Sequence, residues 1–284
     1  MTSTTDITTT RRTLVTGGTG KTGSRVATRL RTAGVPIRLG SRAAEQPFDW
    51  ADRTTWAPAL TNIDAVYLAY APDLAVPGAP EVIKAFVAQA AALGVEKLVL
   101  LSGRGEAEAE QCEQIVRDSG LEWTIVRCSF FAQNFSEGAF TDYILAGELA
   151  LPNGTVDEPF VHADDIADVA VAALTEPGHT GETYELTGPR ALSFARAVAE
   201  IAAATGREIS FAPVSRAEFV AALTEYQVPA DEVSLLDYLF GTVLDGRNSD
   251  TTDGVRRALG REPKDFTEYT EEAAATGVWD TPAQ

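Results

Sequence analysis

The stretch Thr13-Leu14-Val15-Thr16-Gly17-Gly18-Thr19-Gly20-Lys21-Thr22-Gly23 constrains this chain more than any other, because it joins a short apolar run to a helical pattern through glycines at 17, 20 and 23. Gly17 permits a tight turn, Gly20 lets backbone approach an anion with no Cβ in the way, and Gly23 lets the new helix pack close to the strand. The first-turn amides of such a helix have no intrahelical partner, so a pyrophosphate placed there gains hydrogen bonds and the favourable end of the helix dipole. Thr19, Lys21 and Thr22 complete the loop as candidate phosphate contacts.

The spacing is G-x-x-G-x-x-G rather than the commoner G-x-G-x-x-G, so its surroundings decide how it is read. A strand at 12–16 precedes it, an amphipathic helix over 21–33 follows with Val26, Ala27, Leu30 and Ala33 on one face, and 35–40 reads as the next strand, closing a βαβ unit. The Lys21-Thr22 pair does not make a nucleotide-hydrolase loop, which requires glycine at position 15, where this chain has Val15. The second strand ends in Gly40-Ser41-Arg42, a hydroxyl and a guanidinium suited to a 2′-phosphate, so NADPH is expected in preference to NADH, with Asp49 and Trp50 near the adenine end.

Further strands at 64–70, with Ala69 and Tyr70 at its carboxyl end, at 97–103 and at 123–127 alternate with helices over 79–93 and 106–119. This alternation demands right-handed crossovers and predicts an α/β fold with a doubly wound parallel sheet. From 193 onward the pattern is mainly helical. The expected organisation is a disordered stretch at 1–11, a dinucleotide-binding domain over 12–150, and a mixed region over 151–284 that completes the sheet and forms a smaller, mainly helical substrate subdomain.

With 284 residues, 45% of them hydrophobic, the chain can bury a large core. Its 41 acidic residues outnumber 23 basic ones, a net charge of −18 that argues against nucleic acid as a partner. No apolar run is long enough for a membrane span and residues 1–12 lack an apolar signal core, so a cytoplasmic location is expected. Cys112 and Cys128 read as reduced thiols in or near the core; with His162 and His179 they show no metal-ligand spacing, and no metal is expected.

Several segments together resemble the NmrA-like branch of the atypical short-chain dehydrogenase/reductases: Val15–Gly23, Leu39–Arg42, Leu100-Leu101-Ser102-Gly103, Trp123–Arg127, Phe130-Phe131-Ala132-Gln133-Asn134-Phe135, Phe160–Ala167 and Leu186-Thr187-Gly188-Pro189. Phe48-Asp49-Trp50 and Val66-Tyr67-Leu68 look most like bacterial relatives of ergot-alkaloid and aromatic-polyketide tailoring reductases. The resemblance implies a Rossmann domain that binds NAD(P)H, with the substrate cleft between its carboxyl edge and the C-terminal subdomain. It also implies a family of quinone, ketone and iminium reductases, of partners to polyketide hydroxylases, and of members that bind dinucleotide only to report redox state.

One departure bears on mechanism. The wider family's Tyr-x-x-x-Lys pair is absent, and the helix after Ser102-Gly103 runs Glu106-Ala107-Glu108-Ala109-Glu110-Gln111-Cys112-Glu113, with no lysine. Substrates needing little proton help are therefore expected, and positioning is expected to outweigh acid–base groups. Ser102, Tyr70 and Tyr143 are the candidate catalytic residues, with Ser102 and Gly103 also near the cofactor; Phe131, Asn134, His162 and Tyr238 are candidates for substrate contact. The Asp164, Asp165 and Asp168 run reads as charge bias at a helix start with a solvated face. The function expected is hydride transfer to a quinone, ketone or iminium of a small aromatic or alkaloid-like metabolite in secondary metabolism, by a monomer or homodimer acting alone or with a partner enzyme. The alternative is a non-catalytic redox sensor that acts through a protein partner.

Overall fold

Residues 11–138 and 140–280 are described by a computed structural model, and over most of the first 128 of them apolar strands alternate with amphipathic helices. Strand β1 (Thr13–Thr16) is wholly buried and turns through the glycines into helix α1 (Lys21–Thr32), whose Val26, Ala27 and Leu30 pack on the sheet. There follow β2 (Ile37–Gly40), α2 (Trp56–Leu60), β3 (Ala65–Leu68), α3 (Ala79–Ala92), β4 (Lys97–Gly103), α4 (Ala107–Arg117) and β5 (Glu122–Cys128). The middle of the chain carries α5 (Thr141–Ala146), β6 (Glu148–Leu151), β7 (Asp157–Glu158), α6 (Ala163–Thr175) and β8 (Glu182–Leu186). The remainder forms β9 (Leu192–Ser193), α7 (Phe194–Thr205), β10 (Ser210–Pro213), α8 (Arg216–Glu225), α9 (Ala230–Tyr238), α10 (Gly254–Leu259) and α11 (Phe266–Ala275). Residues 1–10 of the stretch expected to be disordered lie outside the described residues; Arg11 is described, and it pairs with Glu122 at 3.1 Å.

Six strands form one parallel sheet in the order β2-β1-β3-β4-β5-β8. Successive side chains on each strand face opposite layers, so Leu14, Val66, Leu98 and Ile125 pack under α2, α3 and α4 while Val15, Tyr67, Val99 and Val126 pack under α1 and α6. The chain leaves β1 for β2 on one side and returns to β3 on the other, which opens a crevice above the carboxyl ends of β1 and β3. Thr16 closes its floor: Oγ1 lies 3.0 and 3.1 Å from the carbonyl oxygens of Tyr67 and Ala69 and accepts from the Ala69 N–H at 2.8 Å.

A third core gathers Phe135, Phe140, Phe160, Phe194, Phe240, Phe266 and Trp279, so most of the aromatics in the second half are packing rather than pocket wall. Two short strands there escaped sequence reading: β6 and β10 pair in parallel outside the main sheet, each only four residues long. The acidic run on α6 also differs from expectation. Asp164 pairs with Arg25 and Arg29, Asp168 with Arg29 and Arg261, and the wholly buried Asp165 with Arg261 and the Lys264 amide, so these acids fasten α1 and the segment after α10 to α6 instead of facing water.

Candidate active site

The glycine turn has the shape its sequence predicts. Gly17 has φ +60°, and a Cβ on Gly23 would fall 2.2 Å from the Gly17 carbonyl oxygen, so that position admits no side chain. A Cβ on Gly20 would meet only that oxygen, at 3.3 Å, and otherwise project into the open crevice. Gly20 is the N-cap of α1; no side chain caps this end, and its first turn contains no acid. The first-turn amides and the positive end of the helix dipole therefore face the crevice, an arrangement that suits an anion. Lys21 lines the same space, its pKa lowered mainly by burial.

The crevice widens into a cleft of ≈ 370 Å³ at the carboxyl edge of β1, β3 and β4. Gly17, Gly20, Lys21 and Thr22 form one side, Ala69 to Leu74 the second, Leu101 to Gly103 the floor, and Arg104, Glu106, Phe130, Phe131, Asn134, Glu158 and Leu239 the far wall. Of the residues expected at the site, the structure thus brings together Gly17, Gly20, Lys21, Thr22, Ala69, Tyr70, Ser102, Gly103, Phe131 and Asn134.

Others stand apart from the cleft lining. Thr19 is exposed within the loop, and Gly23 lies behind it in close packing. Ser41 and Arg42 follow β2 beside the loop, where the Gly18 N–H meets the Gly40 carbonyl at 3.4 Å, and Arg42 is exposed. The Asp49 carboxylate accepts from the Ala51 amide, and Trp50 packs on Tyr70 with ring centroids 5.1 Å apart, supporting the wall from behind. Tyr143 is 40% exposed on α5 and does not line the cleft. The Tyr238 hydroxyl lies 3.4 Å from the Ala107 amide at the start of α4, next to the cleft-lining Leu239. His162 belongs to a separate hollow, where it caps α6 by accepting from the Asp164 amide and touches Gln133; burial lowers its pKa. Its ring, Asp164 and Glu272 offer ligand atoms within 4.8 Å of one another, but the Lys264 ammonium lies 2.8 Å from Glu272 and already supplies the positive charge.

Ser102 ends β4 in the cleft floor, and its hydroxyl donates to Glu113 Oε1 at 2.8 Å. That proton is directed into α4, leaving the oxygen as an acceptor. Glu113 is wholly buried and also receives Arg127 and Arg117. Burial alone would raise its pKa, but the hydrogen bonds from Arg127 and Ser102 outweigh this and hold it below the usual carboxylate range. The Tyr70 phenol is half-buried, and burial raises its pKa.

Sequence reading missed the acids of the cleft. Asp73, Glu106 and Glu158 all line the cleft. Burial pushes Glu158 up to about 7, against the opposing pull of the Phe130 amide and Arg104. Burial and the Asp73 carboxyl hold Glu106 well above the usual range, and burial raises Asp73 too. The available signal was position: Asp73 follows a strand end at the ligand-binding edge, and Glu106 stands three residues beyond Gly103.

The family model described as NAD(P)H-binding matches residues 17–177, from the glycine turn through α6. The chain belongs to this NAD(P)H-binding family. It is 34% identical over 280 residues to the oxidoreductase YesF of Bacillus subtilis, covering 94% of this chain and 97% of that one. It is 30% identical over 277 residues to agroclavine dehydrogenase of Claviceps fusiformis, covering 90% and 95%. Among solved structures, an NADPH-dependent quinone oxidoreductase of Escherichia coli complexed with NADPH shares the fold with a TM-score of 0.76 at 20% identity, covering 92% of this chain and 99% of that one. The resemblance to NmrA-like reductases stands, and the protein is an NAD(P)H-dependent oxidoreductase. Its glycine loop fits the group: the uncapped helix start, the open face of Gly20 and Lys21 would hold the pyrophosphate, and bound there the reduced dinucleotide supplies a hydride from its nicotinamide. Among the described residues no helix is long and apolar enough to cross a membrane.

Proposed function

We propose that the protein uses NADPH to reduce a small, flat, conjugated acceptor, of the quinone, ketone or iminium type, carried on an aromatic or alkaloid-like metabolite of secondary metabolism. The observation that carries this reading is a continuous cleft that runs from the glycine loop past Ser102 to the space between Tyr70 on one side and Phe130 and Phe131 on the other. Aromatic faces hold a planar ring at little entropic cost, and hydride transfer needs mainly that the reacting carbons lie about 3–3.5 Å apart in a dry space. The Ser102 oxygen, its own proton engaged by Glu113, would accept from a hydroxyl of the nicotinamide ribose. Arg42 is exposed just beyond β2, and its guanidinium would pair with a 2′-phosphate.

The experiment is NADPH oxidation by the purified protein against menadione, juglone and cyclic iminium salts. Turnover on any of them supports a reductase; dinucleotide binding without turnover on any of them favours the redox sensor. Arg42→Ala is expected to weaken NADPH binding by about 1–3 kcal/mol with NADH nearly unchanged, measured by calorimetry. Equal losses for both cofactors would remove the basis for the NADPH preference.

A further inference from the structure

Glu106 occupies the N-cap of α4, where a side chain ordinarily accepts from first-turn amides, yet it caps none of them. Instead it lies back over β4: a Cβ on Gly103 would stand 2.2 Å from both of its carboxyl oxygens, so glycine at 103 is what admits the carboxyl there. The residue is 8% exposed and lines the cleft, and among the described residues Oε2 receives no hydrogen bond. Arg104 is turned away from it, towards Glu185 and the carbonyls of Asn248 and Asp250. What meets Glu106 is the carboxyl of Asp73, from the opposite side of the cleft floor. Asp73 is partly exposed and accepts from the Ala75 amide at 2.8 Å, which favours its charge, so of the two carboxyls in contact it is the buried Glu106 that retains a proton.

We propose that the Asp73–Glu106 pair is the proton donor of the reaction, Glu106 passing its proton to the anion formed when hydride adds to a conjugated carbonyl. The inference rests on the reductase reading above and narrows its substrate to quinones and enones. In the step, a C–H bond forms at the electrophilic carbon with the hydride's electron pair, and the displaced π pair moves to the acceptor's oxygen. The Glu106 O–H bond breaks and an O–H bond forms on the substrate. The acceptor gains two electrons, the dinucleotide loses them, and the doubly ionised pair recovers its proton from water. An iminium ion is neutral once hydride has arrived and makes no use of this proton.

The groups facing Glu106 reinforce the retained proton. Asp73 comes from the loop after β3, Glu108 from α4, Cys128 from β5 and Tyr238 from α9, and none of them is a cation. Glu158, the other acid of the far wall, accepts from the Phe130 amide at 3.3 Å and provides a built-in comparison.

The test begins without dinucleotide. Infrared spectra at neutral pH are expected to show the carbonyl band of protonated carboxylic acid, part of it from Glu158, whose carboxyl burial pushes up to about 7; measured in a Glu158→Gln background, Glu106→Gln is expected to lower the band that remains, and a band unchanged by Glu106→Gln overturns the proposal. With NADPH and a quinone, Glu106→Gln is expected to lower kcat by about 10²–10⁴ with NADPH affinity retained, and to abolish the fall in wild-type kcat at high pH. An unchanged kcat, or a loss of that size in Glu158→Gln alone, also overturns it. Asp73→Asn, which leaves Glu106 a hydrogen-bonding neighbour but removes the shared charge, serves if Glu106→Gln fails to fold: it is expected to shift the high-pH limb, and an unmoved limb counts against the pair. A wild-type protein that reduces no conjugated acceptor sinks the reductase reading itself, an outcome distinct from a working enzyme indifferent to Glu106.

Discussion

Helix α4 buries one glutamate at its start and another in its second turn, and treats them oppositely. Glu113 is met by Arg127, Arg117 and the Ser102 hydroxyl and is held below the usual carboxylate range despite its burial. Glu106, seven residues earlier in the same helix sequence, is met by a second carboxyl and is held well above it. Burial penalises both charges, so the partner decides the state. The acid that stabilises the fold points away from the cleft through Ser102, whereas the acid that the fold tolerates at a cost lines it. Under the proposed mechanism, this contrast separates the acid that holds the fold from the acid that delivers a proton.

The largest expected effect is on the structural acid. Glu113→Gln leaves Arg127 facing a neutral group inside the protein and is expected to cost about 3–5 kcal/mol in chemical denaturation at neutral pH. Because the folded carboxyl sits below its ordinary 4.5, that stabilisation is full above 4.5 and is lost as pH falls through the lower folded value, so the gap between variant and wild type should close in acid. A gap that persists in acid would assign the loss to packing instead of charge.

Glu106→Gln should do the reverse, by less. A carboxyl raised above 4.5 in the folded state makes the protein less stable as pH climbs from 4.5 through the folded value. The amide escapes this penalty, so the variant is expected to be more stable than wild type by on the order of 1 kcal/mol in alkaline buffer and equal to it in acid. A variant less stable at every pH would show that Glu106 is a packing residue and erase the contrast.

The glycine turn was legible because its constraint is local: Gly17 needs a positive φ and Gly23 a close approach within seven residues of chain, and both are written in adjacent letters. The sheet was legible for a similar reason, since each strand carries its own apolar run between turns. The acids of the cleft were not, because the meaning of Asp73, Glu106 and Glu158 depends on three segments that only the fold brings together, and in a chain with 41 acids each reads as one more surface charge. The Asp164–Asp168 run misled for the same reason, its arginines lying at 25, 29 and 261. Tyr143 drew notice as a hydroxyl near an aromatic stretch, but α5 turns it outward.

That the reaction takes place in this cleft depends first on the dinucleotide lying along the glycine turn. Calorimetric titration of NADPH into wild type and Gly20→Val, with thermal melting of both, tests this most directly. The Cβ of a valine at 20 would meet only the Gly17 carbonyl oxygen, at 3.3 Å, and the side chain would occupy the place of the pyrophosphate. The account predicts a protein that still folds, with its melting temperature lowered by a few degrees at most, and a loss of affinity of a hundredfold or more, about 3 kcal/mol. A folded Gly20→Val that bound NADPH as tightly as wild type would contradict it.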